Sequence, residues 1–123
     1  MKVYTFGQPR VGNKAFEDIL AKSVPETFRI VHHADIVAQV PPCINTGSEC
    51  QISGSIPYYP YHSLTEVMYD LDFKTHKVCP ILEDVNCSRQ YGPLYSFSDH
   101  TFYFGINVGA HWTKAAEVIE VSN

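Results

Sequence analysis

Residues 3–35, VYTFGQPRVGNKAFEDILAKSVPETFRIVHHAD, decide the architecture. Val3-Tyr4-Thr5-Phe6 is a short β-branched and aromatic run closed by Gly7 and Pro9, the pattern of a buried strand. Asn13 offers a side-chain oxygen to the orphan N–H groups of a first helical turn. Ala15, Phe16, Ile19 and Leu20 then recur at helical spacing as one apolar stripe, and Pro25 stops the helix. Thr27 to Val31, with Phe28, Ile30 and Val31 as apolar bulk, predicts a second strand. Strand, helix and strand within about thirty residues make a βαβ unit, which implies parallel strands and an α/β fold. In such sheets chemistry gathers beyond the carboxyl ends of the strands. His32, His33, Ala34 and Asp35 fall there, so Asp35 is a candidate site residue on position alone.

Downstream the pattern loosens. Pro41-Pro42 and the Gly-, Ser-, Pro- and Tyr-rich residues 43–60 read as loop. Leu64–Tyr69 and Lys77–Val78 predict strands around a hairpin at Asp70–Thr75. Residues 80–96 read as loop again. Ser98 or Asp99 would cap a short helix running through Tyr103 and stopping at Gly105. Ala115–Val121 fits a last helix or a frayed tail, and the sequence does not choose between them.

Composition narrows the function. A formal charge of −4 with no basic cluster excludes a phosphate-binding surface, so nucleic acid is not an expected partner. No stretch is long and apolar enough for a transmembrane helix. The four cysteines form two close pairs, Cys43 with Cys50 and Cys79 with Cys87. Two disulfides in an oxidising compartment are expected, against the alternatives of buried free thiols or a zinc site, whose usual ligand spacing is tighter. Met1-Lys2 runs straight into the first strand without a secretory leader, so an N-terminal part, leader included, is expected upstream.

Asp35 and His100 are the residues that carry chemistry, in the order acid then base that α/β-hydrolases use after their Ser. His32 and His33 are adjacent on a strand end and point to opposite faces, which disfavours a shared metal ion. One is expected to pack and the other to meet solvent. Arg10 is expected to pair with an acid and hold its loop. Tyr58, Tyr59 and Tyr61 suit either an interfacial aromatic patch or ordinary packing.

Four segments resemble the class 3 (fungal-type) lipase family. Val3–Asn13 is similar to the strand and loop that follow the nucleophile helix. Phe28–Pro42 resembles the acid-bearing segment, Glu66–Tyr69 the next strand, and Asp99–Gly105 the closing His motif. The resemblance implies the C-terminal half of an α/β-hydrolase fold over residues 1–110, a mostly parallel sheet with flanking helices, and a tail over 111–123. It implies Asp35 as triad acid and His100 as base, with long-chain acylglycerol esters as substrate, a lipid interface as a contact of the full-length protein, and no metal or cofactor. Val37, Val40 and Phe97 would line the acyl site. Secretion is implied as well. Ala38 departs from the Pro usual after the acid, and Ser98 from the usual apolar residue. No G-x-S-x-G occurs, so the Ser would lie upstream and the chain alone would be inactive. The competing reading is a lipase-like module that binds lipid or a partner without catalysis.

Overall fold

A computed structural model describes residues 1–43, 45–46, 49–50 and 60–110, with backbone only for 45–46 and 49–50. Tyr58, Tyr59, the Cys50 side chain and the expected tail fall outside them, and with them the predicted Cys43–Cys50 bond. Strand β1 (Val3–Phe6), helix α1 (Lys14–Ser23) and strand β2 (Thr27–His32) form the expected βαβ unit. The β1–β2 pair is parallel, with Val3 opposite Thr27. Asn13 caps α1 by accepting from the Phe16 N–H at 2.9 Å, a contact worth about 1 kcal/mol in such helices. The stripe on α1 departs from expectation: Phe16 and Ile19 are exposed and Glu17 is the buried residue. Glu17 is tolerated there because the Lys14 ammonium donates to it at 2.7 Å.

A two-residue ladder, β3 (Asn45–Thr46) with β4 (Glu49–Cys50), lies in the segment expected to be loop. Strands β5 (Thr65–Tyr69) and β6 (His76–Cys79) follow, and the main sheet has the order β1-β2-β5-β6. The β2–β5 pair is also parallel, and only β6 runs antiparallel to its neighbour. The β5–β6 turn is set by Asp70, whose carboxylate accepts from the Lys74 and Thr75 N–H groups and from the Thr75 hydroxyl. Cys79 at the end of β6 is bonded to Cys87, as expected. A loop this short restricts the unfolded chain by about 2–3 kcal/mol. Beyond it, residues expected to be loop form 3₁₀ turns over Ser88–Leu94, kinked at Gly92.

The two sheet faces differ in chemistry because successive side chains alternate. One face gathers Phe28, Ile30, Val67 and Tyr69 with Phe73 and Tyr103. The other carries Met68, Cys79, Cys87 and Tyr91, together with two buried ion pairs, Arg29–Glu66 and Arg10–Glu83.

The helix expected to start at Ser98 or Asp99 is shorter than predicted. Helix α2 covers Phe97–Thr101 and is capped by Ser96, not by Ser98 or Asp99. Phe102 and Tyr103 leave it as strand β7 and pair with β8 (Ile106–Asn107). Phe104 and Gly105 both have positive φ, 49° and 81°, the geometry that lets a two-residue turn match strand twist. Aromatic residues that fit a helical stripe are thereby used as a hairpin.

Candidate active site

Asp35 lies just past β2, fully buried, and Gly7 just past the neighbouring parallel strand β1. The first turn after Asp35 folds back on its side chain: the Val37 and Ala38 N–H groups donate to Oδ1 at 2.8 and 3.2 Å. The Tyr103 hydroxyl donates to Oδ2 at 2.6 Å. Burial and the adjacent Asp35 charge push that phenol far above its ordinary range, so it stays a donor at any working pH.

Segment 94–96 brings α2 alongside. Ser96 donates its N–H to the Ala34 carbonyl at 2.8 Å and accepts from the Ile36 N–H, bridging the acid loop to the start of the helix. His100, in the last turn of α2, then sets Nδ1 at 3.0 and 3.1 Å from the two Asp35 oxygens. A carboxylate only accepts, so Nδ1 carries a proton, which in the neutral ring leaves the lone pair to Nε2. The His100 side chain is 30% exposed while Asp35 has no exposure, so the base reaches solvent and the acid does not.

Gly7 completes the corner. A Cβ on it would stand 2.6 Å from Asp35 Oδ2 and 2.7 Å from His100 Nδ1, and its φ is +58°. Sequence reasoning singled out neither Gly7 nor Tyr103. Gly7 carried a signal in ending a strand that neighbours the acid strand, whereas Tyr103 carried none, since it was assigned to a helix.

A second Asp–His pair crosses the first. His33 Nδ1 donates to Asp99 Oδ2 at 2.8 Å, and the Ala34 N–H donates to the same oxygen at 3.1 Å. The Asp99 carboxyl lies below its ordinary range; burial opposes this, but the bonds from His33, Ala34 and Ser96 prevail. Of the adjacent histidines, His32 packs and His33 is partly solvated, as expected.

The first 45 residues match the family model for lipase (class 3). A lipase of Caenorhabditis elegans is 34% identical over 88% of this chain and 36% of its own length. The lipase of Rhizomucor miehei is 34% identical over 87% of this chain and 26% of its own. A solved triacylglycerol lipase, described as having a serine protease triad for its catalytic centre, superposes with a TM-score of 0.68. It is 34% identical and covers 88% of this chain and 37% of that one. The chain belongs to the class 3 lipase family. It spans roughly a quarter to somewhat over a third of the relatives' length, and its sheet is part of an α/β-hydrolase fold.

Around the pair, this class 3 lipase chain has an apolar hollow of about 330 Å³ lined by Phe6, His100, Tyr103, Phe104, Ile106 and Val108. None of the three expected acyl-site residues lines it. Val37 is half-buried and its N–H serves the acid; Val40 is exposed, and its carbonyl accepts from the Arg10 N–H. Phe97 is 66% exposed, with its ring 6.0 Å from that of His100. Arg10 pairs with an acid, as expected: Nε and Nη2 donate to the two oxygens of Glu83 at 2.9 and 2.6 Å. Tyr61 is buried, its N–H bonded to the Gly12 carbonyl. Among the described residues no cluster of His, Cys, Asp and Glu could hold a metal ion, and no helix is long and apolar enough to cross a membrane.

Proposed function

We propose that this chain supplies the acid and the base of a serine ester hydrolase that acts on long-chain acylglycerols. The nucleophilic Ser comes from a segment upstream of these residues. Asp35 holds His100 in the Nδ1–H tautomer and stabilises the imidazolium that forms. His100 Nε2 takes the Ser hydroxyl proton as Oγ bonds to the ester carbonyl carbon, and returns it to the departing alcohol oxygen. Water then repeats the sequence on the acyl-enzyme and releases the fatty acid. This chemistry uses no metal or organic cofactor. The observation that carries the reading is the buried Asp35 carboxylate receiving His100 Nδ1 beyond the ends of two parallel strands.

Val37, Val40 and Phe97 are assigned to the substrate side, with Val40 and Phe97 exposed enough to meet a lipid interface. Residues 1–110 form the lipase unit and 111–123 a tail. An extracellular location is favoured by the Cys79–Cys87 bond, which persists in oxidising compartments.

The test uses the chain extended by its upstream coding sequence. That sequence is expected to encode G-x-S-x-G after a strand. In the extended protein, Asp35→Asn and His100→Ala should each lower kcat by about 10⁴-fold, the scale known for a triad acid, at a temperature where circular dichroism shows both variants folded. Unchanged turnover in either variant would overturn the assignment. Lipid binding without turnover in the extended wild type would establish the non-catalytic module instead.

A further inference from the structure

Asn86-Cys87-Ser88 is the one triplet in these 123 residues in which an Asn is followed, two positions on, by a hydroxyl residue with no Pro between. In a chain that enters a secretory pathway such a triplet accepts an N-linked glycan, and the modified Asn has to end up at the surface. The fold meets that demand. Asn86 is exposed, in the loop closed by the Cys79–Cys87 bond. Among the described residues its hydrogen bonds are made by the backbone. Its N–H donates to Asp84 Oδ1 at 2.8 Å, and its carbonyl accepts from Lys77 Nζ at 2.8 Å. The side-chain amide takes part in neither. The disulfide is a second, independent sign, because the compartment that forms such bonds is also the one that attaches N-glycans.

The other two members of the triplet are placed the opposite way. Cys87 and Ser88 are each 1% exposed. Ser88 Oγ accepts from Gln39 Nε2 at 2.7 Å, and the Ser88 N–H donates to Glu66 Oε1 at 3.0 Å. A glycosyl transferase has to grip the Asn amide and the hydroxyl two residues on together, which is why the Ser belongs to the signal. In the folded protein that hydroxyl is out of reach. The folded surface thus accommodates the product but not the reaction.

We propose that Asn86 carries an N-linked glycan, attached before the Cys79–Cys87 loop closes and Ser88 packs against Gln39. The donor is a polyprenyl diphosphate oligosaccharide of the secretory pathway. The Asn86 amide nitrogen bonds to the anomeric carbon of the first sugar as the bond from that carbon to the diphosphate oxygen breaks. The lipid diphosphate leaves with the electron pair, and the amide gives one proton to a base of the transferase; nothing is oxidised or reduced. The inference rests on the extracellular location proposed above and not on the catalytic assignments. The β5–β6 register sets Cys79 opposite Glu66, near the start of β5, whereas Asp35 lies past the other end of the parallel strands. The glycan therefore stands beside β6, the outer strand of the main sheet among the described residues, where Val78 and Ile81 are 53% and 70% exposed. A bulky polar group there hinders strand-to-strand association at an open edge.

The experiment expresses the chain with its upstream coding sequence in a eukaryotic host. Position 86 is read by peptide mass spectrometry before and after peptide N-glycosidase F, which converts a glycosylated Asn to Asp. The secreted protein is expected to show that conversion, and a secreted protein bare at Asn86 overturns the proposal. Occupancy in the variants is read on all chains made, retained or secreted, so that folding does not decide it. Ser88→Ala should abolish it and Ser88→Thr, which keeps the signal, should preserve it; the reverse of either result overturns the proposal. Cys79→Ala cannot close the loop, and its occupancy should equal or exceed that of the wild type. A fall would mean that the closed loop is the substrate, and would overturn the order of events. Retention of the extended protein in the cytosol would sink the extracellular reading and this proposal with it, whereas secretion without a glycan sinks this proposal alone.

Discussion

Gly7 is where the physics of single residues is tightest. Its φ of +58° lies in the left-handed region, and the space its side chain would need is taken by the Asp35–His100 pair itself. Neither neighbour can yield: Asp35 is held by two backbone N–H groups and Tyr103, and His100 by α2. Gly7→Ala is therefore expected to lower stability by about 1–3 kcal/mol through backbone strain and to drive the carboxylate and the imidazole apart. Thermal unfolding and the His100 ring signals report the two effects separately. A variant with wild-type melting and an unchanged His100 spectrum would refute this account of the corner. The position of Asp35 was legible without any structure, because chemistry in a parallel sheet gathers just past the strand ends and His100 follows in triad order, although an Asp taken alone there is most often a turn residue or cap. Gly7 and Tyr103 were not, since what they touch is assembled from β1, the acid loop and the β7–β8 hairpin, which the chain joins only by folding.

Between elements, the Arg10–Glu83 bridge has the most to do. It links the loop after β1 to the segment closed by the Cys79–Cys87 bond, across 73 residues of sequence. Arg10 also donates to the Gln39 and Pro41 carbonyls, and Glu83 accepts the His62 N–H at 2.8 Å. The chain after the acid is thus held from two sides. Both side chains are nearly buried, at 2% and 4% exposure, so each is committed to the other. Removing one charge from a buried pair costs far more than removing a surface pair, and Glu83→Gln should destabilise by about 3 kcal/mol in urea unfolding. A change below about 1 kcal/mol would mark the pair as no more than a surface contact. Sequence could announce that Arg10 wants an acid but not which one. The same limit explains α2: helical spacing fitted Phe102 and Tyr103, but the Phe104–Gly105 turn made a hairpin the better use of them.

Across the whole molecule, the response to acid follows from a histidine that catalysis does not use. The His62 ring is 1% exposed, and among the described residues neither nitrogen makes a well-formed hydrogen bond, the Ala38 backbone giving the charged form only minor support. Burial first, and then the charges of Arg29, Arg10 and Arg89, hold its pKa well below the ordinary range. In the unfolded chain a histidine binds its proton near pH 6.5. Below that pH the unfolded state takes up a proton that the folded state refuses, so stability falls as pH falls. The contribution is fully present above about 6.5 and is lost progressively toward the folded value. Unfolding free energy is expected to drop between pH 7 and 5 with a slope approaching the one-proton limit of about 1.4 kcal/mol per unit. His62→Gln, which cannot titrate, should flatten that slope whatever it does to the absolute stability. Equal slopes in the two proteins would mean that the ring charges in place, and that the ion pairs beside it accommodate a third cation.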